Sequence, residues 1–236
     1  MATTALILTA LFPIAVLIFY ICYKDKNNPE PTKELIKTFL IGILTIPLSF
    51  CISIPFSSIG LYSMTPTTIL GSISTSFFGA AIPEEIAKFV ILWFILRKNP
   101  FFDEKMDGIV YAVFVSLSFA AIENIMYIIG NADSFLSIGI SRAIFAVPGH
   151  FCFGILMGYY YSLAKFDSVN KTKNRILILA APILAHGIYD SLLFMIGVTP
   201  EISGFLSIIF LVFCHKTWKY GSRSIQEHLK RDNIIL

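Results

Sequence analysis

Seven apolar runs dominate this chain, at 4–22, 36–58, 68–96, 108–130, 142–164, 176–197 and 202–215. About 20 apolar residues is the length that crosses the ~30 Å hydrocarbon core of a bilayer as a helix. Inside that core only helices and closed barrels satisfy their own backbone hydrogen bonds. The sequence therefore predicts an all-α fold, a polytopic membrane helix bundle of about seven spans, forming one domain over 1–236. Composition agrees. Hydrophobic residues make up 56% of the chain, charged residues 14%, and the mean hydropathy is +0.76. A soluble domain carries roughly 25% charge, so a soluble globule is excluded, and disorder with it. Cys22, Cys51, Cys152 and Cys214 show no C-x-x-C spacing. They read as small buried apolar residues rather than a disulfide framework or zinc ribbon.

The runs differ in detail. No Lys or Arg precedes the first, which reads as a retained anchor rather than a cleaved signal peptide. The second contains Pro47 and Pro55 and is predicted to kink. The third is long enough to tilt or to begin with a re-entrant turn. The last is short, with Pro200 at its start and a tail from 216 onward.

Loop charges orient the spans. Segments 23–37, 97–107 and 165–175 and the tail from 216 hold 16 of the 18 basic residues. All four fall on one side if the chain threads seven times. The positive-inside rule then predicts an outer N-terminus and a cytoplasmic C-terminus. The basic residues are dispersed over four loops, so nucleic acid is not expected as a partner; the lipid bilayer is.

The two remaining basic residues are Arg142, at the start of the fifth run, and Lys88, inside the third. With Lys88 stand Glu84 and Glu85. The fourth run carries Phe119, Glu123 and Asn124, the fifth His150, and the sixth His186 and Asp190. Five unpaired charges within a bilayer cost on the order of 12–17 kcal/mol, so they are functional candidates that need partners. Counted from the cytoplasmic ends at ~1.5 Å per residue, the polar groups lie at depths of about 12–23 Å. They share one slab near the midplane on four helices. Spacing agrees: Glu84 and Lys88, Phe119 and Glu123, and His186 and Asp190 are each i, i+4. Ala146, His150, Gly154 and Gly158 form a small-residue stripe suited to close helix packing. Taken singly, each group reads as a buried pair, a packing histidine or interhelical glue. One shared depth for all of them points to a site.

Two adjacent carboxylates repel when both are ionised, and Lys88 offsets the charge on one. That suits a general base activating water, with histidines able to donate to an oxyanion or shuttle a proton. Asp190 can orient His186. No G-x-S-x-G or H-E-x-x-H is present, which disfavours serine and zincin chemistry. Alternatively, Glu123, His150, His186 and Asp190 offer N and O ligands for a divalent metal such as zinc. A proton-coupled transporter would use midplane carboxylates and histidines as a relay, and a non-catalytic scaffold would use them to bind a peptide or head group.

The motifs run in order: E-E-x-x-K (Glu84, Glu85, Lys88), F-x-x-x-E-N (Phe119, Glu123, Asn124), G-H-x-x-x-G (Gly149, His150, Gly154) and H-G-x-x-D (His186, Gly187, Asp190). This order resembles the PrsW-type intramembrane proteases, relatives of CAAX-processing endopeptidases and bacteriocin-protection proteases. The resemblance extends to Glu30-Pro31, to Asp107–Ala112 and to Ala146–His150, over roughly 25–195. It implies a multi-spanning endopeptidase of a prokaryotic cell membrane, acting on a membrane-anchored protein such as an anti-sigma factor. It implies Glu84 and Glu85 as the catalytic pair, assisted by His186, His150 and Glu123, with Lys88, Asp190, Asn124 and Phe119 supporting. The family is described both as glutamic-type and as metallo-type. The reading preferred here is metal-independent water activation, because Lys88 competes with a cation.

Overall fold

The computed structural model describes residues 2–232. The chain forms α1 (Ala2–Lys24), α2 (Thr32–Gly42), α3 (Thr45–Ser58), α4 (Ile69–Ser74), α5 (Ile82–Leu96), α6 (Lys105–Gly130), α7 (Phe135–Ser141), α8 (Val147–Phe166), α9 (Lys171–Val198) and α10 (Ser203–Asp232). π-helical turns at Thr75–Ala81 and Arg142–Ala146 join α4 to α5 and α7 to α8. No strand is present among the described residues. Among the described residues, six helical stretches are long and apolar enough to cross a membrane: Thr4–Lys24, Thr32–Ser58, Lys105–Gly130, Ala132–Phe166, Lys171–Val198 and Pro200–Asp232. The third apolar run is helical as well, through α4, the π turn and α5, with no re-entrant loop; Glu84, Glu85 and Lys88 lower its hydropathy.

α6 is the axis of the bundle. It is apolar on all sides, as a helix surrounded by others must be, and every residue from 106 to 121 is buried. α8 packs on it most closely. A Cβ on Gly158 would stand 2.3 Å from the Gly108 carbonyl oxygen, so the α6–α8 crossing requires glycine there. α1 adds Ile14, Leu17 and Ile21 to the same core.

Several expectations are refined by the structure. The second run breaks at Ile43–Leu44, between α2 and α3. Pro47 cannot donate to the Ile43 carbonyl and its ring crowds it, whereas Pro55 is accommodated inside α3. The last run does not stop at 215: α10 continues to Asp232. Its extension buries Gly221, Ser224, Ile225, His228 and Asp232 at helical spacing, an amphipathic pattern that a hydropathy average hides. Among the cysteines only Cys152 is buried; Cys51 is exposed on α3.

Contacts gather the basic segments at one end. Lys165 Nζ donates to the Phe102 carbonyl. Asp232 accepts from the backbone N–H of Lys105 (3.1 Å) and of Met106 (2.9 Å), capping α6. Asp107 Oδ2 accepts from Asp103 N (3.0 Å) and Glu104 N (2.6 Å) at the same helix start. Tyr111 OH donates to Glu30. Glu30 and the Asp107–Ala112 stretch, which carry part of the resemblance, thus tie α6 to the loop before α2, away from the polar set.

Candidate active site

Two π turns place the site. Each ends just before a proline: Pro83 at the start of α5 and Pro148 at the start of α8. A proline ring crowds the carbonyl four residues back, and a π turn, common at functional sites, widens the helix there. Glu84 and Glu85 follow the first proline directly, and His150 follows the second by two residues. Gly187 lets α9 approach the first π turn, since a Cβ on it would lie 2.4 Å from Phe77.

These helices bring the predicted groups into one hydrogen-bonded chain. Arg142 Nη2 donates to Glu123 Oε2 at 2.6 Å, and that oxygen also meets His150 Nε2 at 2.8 Å. On the other side of the imidazole, Lys88 Nζ lies 3.2 Å from His150 Nδ1. Lys88 also donates to Glu85 Oε1 at 2.8 Å. The same oxygen meets His186 Nδ1 at 2.9 Å, and His186 Nε2 lies 3.2 Å from Asp190 Oδ2. Phe119 supports the chain from below: its ring centroid is 4.4 Å from Lys88 Nζ and 5.4 Å from the His150 ring. Phe153 stacks on His186 at 4.7 Å.

The two adjacent glutamates have different surroundings. Glu85 is fully buried and clamped by Lys88 and His186. Glu84 keeps 15% of its side-chain exposure, and its Oε2 is 3.7 Å from Lys88 Nζ and 3.9 Å from His186 Nε2. That oxygen is enclosed and has no hydrogen-bond partner; neither has Glu85 Oε2. Glu84 lines two cavities. One of about 300 Å³, the more polar of the two, also touches Arg142, His150, His186 and Asp190. The other, of about 630 Å³, lies between α3 and α6.

Asn124 stands outside the chain as an interhelical tie. Its Nδ2 donates to the Ala10 carbonyl at 3.1 Å, and its Oδ1 accepts from Arg142 Nε at 2.5 Å. Arg142 was not among the expected site residues. The signal was present: it is the one basic residue that topology leaves unassigned outside the third run, and it lies i, i+8 from His150. It also stacks over Tyr127 at 4.2 Å.

The donors that converge on one point are Glu84, Glu85, His150 and His186, whose ligand atoms lie within 4.8 Å of one another. Their oxygen and imidazole chemistry fits a divalent cation. The set differs from the expected alternative of Glu123, His150, His186 and Asp190. Glu123 is engaged by Arg142 and His150, and Asp190 by His186.

A sequence profile described as "PrsW family intramembrane metalloprotease" matches residues 30–215. The chain is 37% identical to Protease PrsW of Clostridioides difficile (strain 630), over 98% of this chain and 94% of that protein. Protease PrsW of Oceanobacillus iheyensis is 38% identical over 77% of this chain and 79% of its own. For Protease PrsW of Bacillus subtilis (strain 168) the identity is 33%, over 80% and 83%. No solved structure matches. With these bacterial relatives and its spanning helices, the molecule is an integral multi-pass protein of a prokaryotic membrane. The residues matched by the profile include all four helices that form the polar chain, and the chain belongs to the PrsW family of intramembrane proteases.

Proposed function

We propose that this peptidase cleaves a membrane-anchored protein by water attack on a peptide carbonyl, with Glu84 as the general base. The observation that carries this is the contrast within the glutamate pair: Glu85 is fully buried and clamped through Oε1 by Lys88 and His186, while Glu84 makes no hydrogen bond and lines both cavities. A water between Glu84 and a substrate carbonyl gives its proton to Glu84 as the C–O bond forms. The tetrahedral oxyanion is stabilised by the Lys88 ammonium, which lies 3.7 Å from Glu84 Oε2. Glu84 then returns the proton to the departing nitrogen as the C–N bond breaks. Glu85, Asp190 and Glu123 hold Lys88, His186 and His150 in place, so little reorganisation accompanies the reaction. We extend the reading to regulatory proteolysis, with an anti-sigma-factor-like membrane protein as the substrate to test first. The positive-inside reading, with the C-terminus cytoplasmic, completes the proposal. Purified protein in liposomes should cleave a single-span reporter, and Glu84→Gln should abolish cleavage. Undiminished cleavage by that variant would remove Glu84 as the base.

A second reading is favoured by the convergence of Glu84, Glu85, His150 and His186 and by the unpartnered oxygens on both glutamates. These four residues would hold a divalent cation, after Lys88 gives up His150 and Glu85. A bound cation supplies a Lewis acid and an activated water. Family membership supports either peptidase reading over a proton-coupled transporter, which would instead show substrate-dependent proton flux without cleavage.

A further inference from the structure

We propose that the cleft between α3 and α6 is the seat for one flank of the substrate: an apolar polypeptide segment, unwound to an extended form, running up to Glu84. This inference rests on the peptidase reading and adds to it the path and chemistry of the bound chain.

The cleft and the polar cavity share Glu84, Glu123, Tyr127, Ala80 and Phe194. A carbonyl placed at Glu84 therefore has one flank in each. The two are unlike. The cleft wall on α3 is a stripe of Ile46, Ser49, Phe50, Ser53, Ile54 and Ser57, at spacings of three and four residues. The other cavity presents the charged and polar groups Arg142, Ser141, His150, His186 and Asp190, none of which lines the cleft. The bound segment is thus apolar on one side of the scissile bond and polar on the other.

Two features argue for an extended chain rather than a lipid tail. First, serines interrupt the stripe. Ser49 and Ser53 donate to the carbonyls of Ile46 (2.8 Å) and Phe50 (3.2 Å) in their own helix, so their oxygens keep lone pairs as acceptors. A chain unwound for cleavage has lost its helical partners and needs such acceptors within a bilayer. An acyl chain has no use for them. Second, the dimensions suit a short strand. From Ile46 to Ser57 the stripe is roughly 16 Å long, which an extended peptide covers in about five residues. Ile54 and Phe50 are 60% and 51% exposed, whereas Ser49 and Ser53 are buried at the inner side of the cleft, so the stripe is open to the bilayer along its outer edge and a segment can slide in sideways toward the serines.

The test places a photo-crosslinking residue at Ile54, at Ser57 or, as a control, at Cys51, which is exposed on α3 but outside the cleft. The background is Glu84→Gln. The probe is a synthetic single-span polypeptide with an apolar flank joined to a polar flank, in liposomes. Ile54 and Ser57 should capture the probe at least ten-fold more than Cys51, and a probe whose apolar flank is Gly/Ser should lose this capture. Equal capture at all three positions, lipid adducts alone at Ile54, or equal capture of both probes would overturn the proposal. Cleavage of the same probe by the wild-type protein is scored separately. Cleavage without capture removes the cleft and keeps the peptidase reading; capture without cleavage does the reverse.

Discussion

Lys88 on α5 and His150 on α8 are 62 residues apart, yet Lys88 Nζ sits 3.2 Å from His150 Nδ1. An ammonium only donates, so Nδ1 must accept. The ring proton is then on Nε2, where it reaches Glu123 at 2.8 Å. One contact fixes a tautomer and joins the glutamate pair of the third apolar run to the carboxylate of the fourth.

The two glutamates should separate stability from turnover. Glu85→Gln keeps an acceptor but leaves the Lys88 charge without its buried counter-charge, and breaking such a pair costs about 3–5 kcal/mol. Glu84→Gln removes a carboxylate with no hydrogen bond and should melt within a few degrees of wild type. Its turnover should fall roughly 10²–10⁴-fold, the range for a lost general base. Thermal melts in detergent beside reporter cleavage distinguish the two; equal destabilisation of both would contradict the asymmetry.

Arg142 should act as a positioning residue through Glu123. Arg142→Gln frees Glu123 to turn from His150, lowering kcat by roughly ten-fold or more, about 1.4 kcal/mol in the barrier, with KM little changed. Arg142→Lys keeps one donor and should recover part of the loss. A purely structural role would lower the melting temperature of both variants and show no rescue in kcat.

Metal content decides between the two peptidase readings. Metal-independent catalysis predicts less than stoichiometric metal in purified protein and turnover that survives chelation. One zinc per chain, lost together with activity, would establish the metal reading. In that case Lys88→Met should raise the affinity measured by equilibrium dialysis, because the ammonium no longer occupies His150 and Glu85.

Outside the spans, burial pushes Asp25 up to about 7, even though it accepts the Glu30 N–H. Burial raises Glu30 as well. A carboxyl whose folded value lies above its unfolded one binds more protons when folded, so stability falls as pH rises from about 4 to about 7. Asp25→Asn should remove that loss. Its melting midpoint should exceed wild type at pH 8 and match it at pH 4, where a chain this size shifts by roughly 2–4 °C per kcal/mol. A constant offset at both pH values would show that Asp25 acts through packing alone.

The sequence by itself determined the class of fold and all of the polar set but Arg142. Apolar runs of bilayer length force helices because no water is there to pair the backbone. Glu84, Glu85, Lys88, Glu123, His150, His186 and Asp190 stand out because charge is so costly at that depth. Depth counting placed them in one slab, since rise per residue is a local property of a helix. Partners were not legible, because rotation of one helix against another is set by packing. Only the tertiary structure put Lys88 between Glu85 and His150, left Glu84 without a hydrogen bond, and turned Glu123 toward Arg142. The close α6–α8 contact at Gly108 and Gly158, the proline-linked π turns and the approach of Gly187 to Phe77 decide those rotations. The extension of α10 past residue 215 was hidden for the same reason, since its buried stripe gains meaning only against the helices it covers.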